Sequence, residues 1–424
     1  MSMSASAQGP RQGAARAGDG GRGADANARV RVSTPADIGR ALREAASAGL
    51  RATTTASASP GTVLLDLSAL DETSVAPVAR TVRVGAGVPW DRLVARTAPH
   101  GLTVLAGEDL ARPAVGNALV GAVGPVARTF GIAADHVLSI DLVTPDGAAR
   151  TVTPDTDPEL FCALRGGVEG LGVATGMTLG MLALTTLQAG TWWFAPVPAD
   201  AAADAVHRWR DWVDDLPESI STRAILTAAD DGGLALGLRF AHVGDPAESE
   251  ALLAELREDL PTPSRDTVMD LRNGSASPHL REPTPAPGAV RGALLDTLPS
   301  VAVEAIAAAA AAAPPGTSVE LRLRGGAMGR GAPIPGCIPG RAAAFSLRAL
   351  AGRQADADTL VDALAPWTTG GTALDLGDPH DARAAEALRV AWGEPSWSRL
   401  TTLRQKLDPD GVLVAPWEPA VSPP

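Results

Sequence analysis

Two apolar periods alternate along this chain, and together they lay out its elements. Val30 and Val32 are spaced by polar neighbours as in a short strand, so ordered structure is expected to begin near Arg29. Thr34, Pro35 and Asp37 then supply an N-cap, a proline at the first helical position and an early acid. Ile38, Ala41, Leu42 and Ala45 repeat at helical spacing, and Gly49 is the predicted stop. Residues 63–67 read as a buried strand and 81–84 as another, running into Gly85-Ala86-Gly87, after which Pro89-Trp90-Asp91 opens a helix through Arg96. Runs 137–143 and 149–152 flank Pro145-Asp146-Gly147, a hairpin signal. A short helix over 158–164, a glycine-rich turn and a strand over 173–182 complete this first region.

A second region starts near residue 185. Strands over 192–197, 224–228 and 234–240 and helices over 201–213 and 248–256 predict an α+β domain built on an antiparallel sheet. Residues 260–287 carry many prolines and read as a long surface loop. An alanine-rich helix over 301–313 is ended by Pro314-Pro315-Gly316; its plain reading is a packed structural helix. Strands over 319–323 and 343–350, a helix over 355–365 and two more helices after Ala382 finish the chain.

Composition narrows the class. A length of 424 residues allows two or three domains, and 45% hydrophobic with 20% charged residues is ordinary for a soluble globular protein. The longest apolar run, 305–313, is too short to cross a bilayer of ~30 Å hydrocarbon. Residues 1–27 are rich in Gly, Ala, Ser and Arg, lack the apolar stretch of a secretory signal, and read as a disordered tail. With only Cys162 and Cys337 there is no disulfide framework, and a cytoplasmic location is expected. A net charge of −12 without a basic stripe argues against nucleic acid. There is no Tyr, so no phenolate base, and Lys406 is the only lysine.

Most sharp motifs are absent: no Walker loop, no His-Glu-x-x-His, no Cys-x-x-Cys, no Gly-x-Ser-x-Gly, and six histidines scattered without ligand spacing, so no metal site is expected. The cluster from Gly166 to Gly172 follows a helix and precedes a strand, the reverse of the order a dinucleotide fingerprint needs, and reads by itself as a tight turn. The stretch 113–124 is small and flexible, so successive backbone N–H groups could converge on a phosphate; an empty glycine-rich loop is the competing reading.

The order of these segments resembles the flavin-binding domain of the vanillyl-alcohol oxidase/p-cresol methylhydroxylase superfamily. The resemblance is carried by Gly85-Ala86-Gly87-Val88-Pro89-Trp90, Ala98-Pro99-His100-Gly101-Leu102, Thr144-Pro145-Asp146-Gly147 and Asp157-Pro158-Glu159-Leu160-Phe161-Cys162-Ala163-Leu164-Arg165-Gly166-Gly167. Residues 319–330, Trp397-Ser398-Arg399-Leu400 and Asp408-Pro409-Asp410 resemble the berberine-bridge-enzyme-like branch. The resemblance implies an α+β fold, with a two-subdomain FAD-binding domain over 29–184, an inserted substrate domain over 185–381 with an antiparallel sheet, and a C-terminal segment over 382–424 returning to the first domain. It implies an FAD-dependent oxidoreductase that oxidises a small organic substrate of secondary-metabolite type, with the FAD held by Ser57, Ser59, Val115, Gly116, Asn117, Gly121, Gly124, Gly172, Val173 and Thr175. Glu320 and Arg322, alternating on one strand, are the implied base and anion-binding group, with a structural ion pair as the competing reading.

The departures from the family pattern are equally concrete. Ser59 stands where the flavin-linking His is usual, three glycines of that first loop are replaced, and Arg112 holds the place of the second linking residue, a Cys in doubly attached members. A terminal Asn-x-Asn is matched by Pro416-Trp417-Glu418, and aromatic Tyr positions by Trp392 and Trp397. Any FAD is therefore expected to be non-covalent. A pseudo-oxidase of the same fold, acting as a binding protein or a non-redox cyclase or isomerase, is the rival expectation; substrate, electron acceptor and oligomeric state stay open.

Overall fold

The computed structural model describes residues 28–54, 61–167, 170–184, 186–272, 288–376, 382–415 and 417. Its strands, in chain order, are β1 Ala28–Arg31, β2 Arg51–Thr53, β3 Thr62–Asp66, β4 Thr73–Ala76, β5 Thr81–Gly85, β6 Val137–Val143, β7 Ala149–Val152 and β8 Val173–Gly180. They continue with β9 Thr186–Trp193, β10 Ile220–Ala228, β11 Leu234–His242, β12 Arg265–Asp266, β13 Met269–Arg272, β14 Ala289–Leu295, β15 Ser318–Leu323 and β16 Phe345–Ala351. Three sheets form: a small parallel one in the order β1-β3-β2, an antiparallel one in the order β4-β5-β8-β6-β7, and a large antiparallel one in the order β12-β9-β11-β10-β15-β16-β14, with β13 also pairing β9.

Local chemistry explains the opening. Thr34 caps the helix Pro35–Ser47 by accepting from the Asp37 amide, and Asp37 accepts in return from the Thr34 amide at 3.0 Å, a closed capping box. The helix buries Ile38, Ala41, Leu42 and Ala45 against Val63 and Leu65 of β3. The predicted hairpin also forms: β6 and β7 pair antiparallel, and Gly147 takes the φ of +82° that the turn demands.

In the large sheet, the two-residue period of the strands decides everything that follows. Ala224 and Leu226 of β10, Leu236, Leu238 and Phe240 of β11, Val319 and Leu321 of β15, and Leu347 and Ala349 of β16 share one core with residues of the helices Ala199–Val213 and Ser300–Ala311. The alternate residues, Arg223, Arg239, Glu320 and Arg322, therefore face the other way.

The strand expected over 192–197 lies instead at Thr186–Trp193, and three further features differ from the sequence expectation. The proline-rich stretch after 260 is not all loop: β12 and β13 pair along β9 at the sheet edge. Ala114–Leu119 is a helix rather than an open glycine loop. β2, β4 and β14 were not read at all, being short or rich in Ala and Gly.

The end of the chain returns to the beginning. Leu413 bridges Ala52 in parallel, and Arg51 donates to the carbonyls of Gly411 and Leu413 at 3.0 and 2.7 Å. Asp408, only 4% exposed, accepts from the amides of Val412 and Leu413 and from Arg404 at 3.2 Å, while Arg404 also donates to the Gly170 carbonyl. Removing that carboxylate takes the acceptor from two amides and the counter-charge from the buried Arg404 guanidinium together. Asp408→Ala is predicted to cost about 3 kcal/mol, the penalty typical of breaking a buried charged pair; a urea unfolding curve superimposable on the wild type would contradict this.

Candidate functional site: a glycine-walled cavity beside an arginine row

A cavity of about 590 Å³ opens where the two smaller sheets meet the C-terminal segment. That is within the roughly 300–1,000 Å³ usual for cofactor and ligand sites. Thr53 and Thr54 at the end of β2, Ser68 after β3 and Ala86-Gly87 after β5 form one side. Arg112, Val115, Gly116, Asn117 and Val120 form the second, and Gly170, Gly172, Val173, Leu413 and Val414 the third.

Small residues make this shape. A Cβ on Gly116 would meet nothing within 4 Å, so any side chain there would stand in the cavity itself. Gly87 and Gly172 are needed for the walls: a Cβ would lie 2.7 Å from the Leu67 and Ser68 carbonyls in one case and from Leu142 in the other. The Trp90 indole donates to Asn117 Oδ1 at 2.8 Å, which fixes the amide and leaves its N–H groups as the donors it can offer. Arg112 is the only charged residue among the described lining residues, and its exposed guanidinium pairs with Asp109 at 3.4 Å. Backbone approach, hydroxyl and amide donors and one cation at the rim fit a dinucleotide carrying a diphosphate.

The expected site residues divide in space. Val115, Gly116, Asn117, Gly172 and Val173 line the cavity together. Thr175 donates to the Asp141 carbonyl at 3.2 Å and is not a lining residue. Gly121, with φ +82°, packs on Ile338, and Gly124 sits so close to the Ala106 carbonyl that no Cβ fits; neither lines the cavity, although Gly124 lines the small pocket next to it. Ser57 and Ser59 lie outside the described residues. Pro416 and Glu418 do as well, whereas Trp417 closes an aromatic cluster with Trp392 and Trp397, ring centroids 5.5 and 5.9 Å away.

Glu320 and Arg322 belong to a larger constellation. Arg239, Arg223 and Arg322 stand directly opposite one another on β11, β10 and β15. Like charges in that register repel. Glu108, on the connection leading to the helix Ala114–Leu119, reaches across and pairs with Arg223, and with Arg322 at 2.6 Å; Glu320 pairs with Arg223 at 3.2 Å. Burial pushes the Glu108 carboxyl up, but Arg223, Arg322 and Arg239 together outweigh it and hold the group well below the usual carboxylate range. Sequence reading missed Glu108, Arg223 and Arg239. Their signal was a charged residue interrupting an apolar strand on each of β10 and β11, which no spacing rule tied to a distant glutamate.

Residues 26–153 match the FAD binding domain family. The FAD-linked oxidoreductase pytB of Aspergillus terreus is 32% identical over 162 residues, 35% of this chain and 20% of its own length. The matched stretch spans about a fifth to a third of the first curated relatives. Among solved structures, 6-hydroxy-D-nicotine oxidase from Arthrobacter nicotinovorans superposes with a TM-score of 0.80 at 22% identity, covering 91% of this chain and 90% of the other. Berberine-bridge-like enzyme 1 of Physcomitrella patens gives 0.79 at 17% identity, covering 93% and 91%. The chain thus has the α+β fold of these solved structures, the fold class that the sequence resemblance implied.

The charge balance of the arginine row makes a pH prediction. A depressed folded-state value means that Glu108 contributes stability fully above its unfolded value, and that this is lost as pH falls through the folded one. The unfolding midpoint of Glu108→Gln should therefore lie below that of the wild type by a constant margin above about pH 5, with the gap narrowing further into acid. A gap that widened on acidification would contradict the assignment.

Proposed function

We propose that this chain binds FAD non-covalently in the glycine-walled cavity and acts as an oxidoreductase on a small organic substrate presented from the arginine-bearing face of the large sheet. The observation that carries this reading is the coincidence of the FAD binding domain match with a cavity walled by Thr53, Ser68, Gly116 and Asn117. Bound FAD supplies the two-electron acceptor chemistry, which is the cofactor's own. This chain's residues supply the rest. Gly116 leaves room, Asn117, Thr53, Thr54 and Ser68 offer donors, and Arg112 balances negative charge at the rim. Residues 113–124 form a shared wall, with Gly116 and Val120 lining the cavity and Val123 and Gly124 lining the arginine-row pocket. Glu320 is proposed as proton acceptor and Arg322 as the group that neutralises an anionic substrate.

The non-covalent mode is supported by the lining chemistry. Among the described lining residues there is no His and no Cys. His100 is exposed in the turn Ala98–His100, and Cys162 is buried elsewhere. One observation favours the rival reading of a fold without redox turnover: the pocket at Glu108, Arg223 and Arg322 measures only about 30 Å³, and Glu320 is already paired.

Acid or heat denaturation is predicted to release all flavin into the supernatant; flavin that stayed with the precipitated polypeptide would refute non-covalent binding. In the same assay Gly116→Leu should lose flavin retention while keeping its far-ultraviolet circular dichroism. Full retention by Gly116→Leu would show that the cofactor lies elsewhere.

A further inference from the structure

The chain's only two cysteines, 175 positions apart, meet in the seam between its two halves. Cys162 lies in the helix Pro158–Gly167, and Cys337 on the connection between β15 and β16 of the large sheet. Their sulfurs stand 3.7 Å apart, and the Cys337 amide donates to the Cys162 carbonyl at 3.1 Å, so the two backbones are already pinned side by side. The seam around them is shaped for close approach. Gly166 has φ +112° and is packed so tightly on the Cys337 carbonyl that no Cβ fits. Arg165 donates to the carbonyls of Ile334, at 2.8 Å, and Pro335, and Trp392 donates to that of Cys337 at 2.7 Å.

We propose that Cys162 and Cys337 form a redox pair that closes to an intramolecular disulfide across this seam when hydrogen peroxide reaches Cys162. Arg399 decides which sulfur attacks. Its exposed side chain places Nη1 3.1 Å from Cys162 Sγ, so that thiol lies one side chain beneath the surface, beside a cation. The hydrogen bond from the Cys337 thiol and the Arg399 charge pull the Cys162 thiol below its ordinary range, and the same hydrogen bond, with burial, pushes Cys337 up. In the first step the Cys162 thiolate attacks one peroxide oxygen; an S–O bond forms, the O–O bond breaks, and hydroxide leaves and is protonated to water. In the second the Cys337 sulfur attacks Cys162 Sγ; the S–S bond forms, the S–O bond breaks, and the Cys337 proton departs with the leaving hydroxide as a second water. The two sulfurs together lose two electrons and peroxide gains them. The product ties the helix Pro158–Gly167 to the large-sheet connection that also carries Arg341, the partner of Asp135.

The test uses the full chain. Protein treated with hydrogen peroxide is denatured in an alkylating reagent and mapped by mass spectrometry without reduction. The expected result is loss of both alkylatable thiols, a linked peptide containing Cys162 and Cys337, a higher thermal midpoint, and full reversal by dithiothreitol. Cys337→Ser should stop at a Cys162 sulfenic acid trapped by dimedone, and Cys162→Ser should leave Cys337 alkylatable. Two thiols still alkylatable in the treated wild type, a disulfide joining two copies, or oxidation of Cys337 undiminished in Cys162→Ser would each overturn the proposal. The wild-type map stands whether or not either variant folds.

Discussion

Glu108 meeting a row of three arginines is the interaction on which the arrangement of this molecule turns. Arg239, Arg223 and Arg322 occupy directly opposed positions on adjacent strands, where they repel, and Glu320 of the same sheet pairs, among the described residues, with Arg223 alone at 3.2 Å, so a further counter-charge reaches the row from Glu108. That counter-charge comes from the other half of the chain. The face of the large sheet away from its helices is thereby committed to facing the half that carries Glu108, and Glu320 is drawn into the same network. Gly124, pressed against the Ala106 carbonyl, keeps the Glu108 connection close to the segment that separates the arginine row from the larger cavity. Electrostatics and close backbone packing thus fix one wall shared by two spaces.

The same wall explains why small residues recur where they do. Gly116 is free of neighbours and gives the cavity its room, whereas Gly87 and Gly172 are crowded and give it its walls. The third wall depends on the far end of the chain. Asp408 folds Val412 and Leu413 back onto its carboxylate, and Arg51 and Arg404 hold the Leu413 carbonyl. A cavity assembled from residues near 53, 87, 116, 172 and 413 can form only when both smaller sheets and the C-terminal return are in place.

Much of this was legible in the sequence where the signal is local. The capping box at Thr34, the hairpin at Gly147 and the alternation of β10, β11 and β15 follow from residue types a few positions apart. The ordered set of motifs, rather than any one glycine cluster, pointed to the flavoprotein fold. Long-range pairing was not legible. Nothing near Glu108 announces Arg223, and two cysteines that offer no framework by count turn out to share one seam. Gly121 carries the same local glycine signal as Gly116 but meets Ile338, because which side of a tight turn faces a cavity is settled by the neighbouring elements. The edge strands β12 and β13 escaped for a similar reason: their proline-rich surroundings read as loop, and pairing with β9 overrides that local preference.

The central proposal is that this chain holds FAD non-covalently in the glycine-walled cavity. The absorption spectrum of the freshly purified full chain, calibrated against polypeptide concentration, tests it most directly. The account predicts a flavin spectrum equivalent to one FAD per chain, or its appearance after incubation with FAD and removal of the excess. A colourless protein that takes up no flavin on incubation would contradict it.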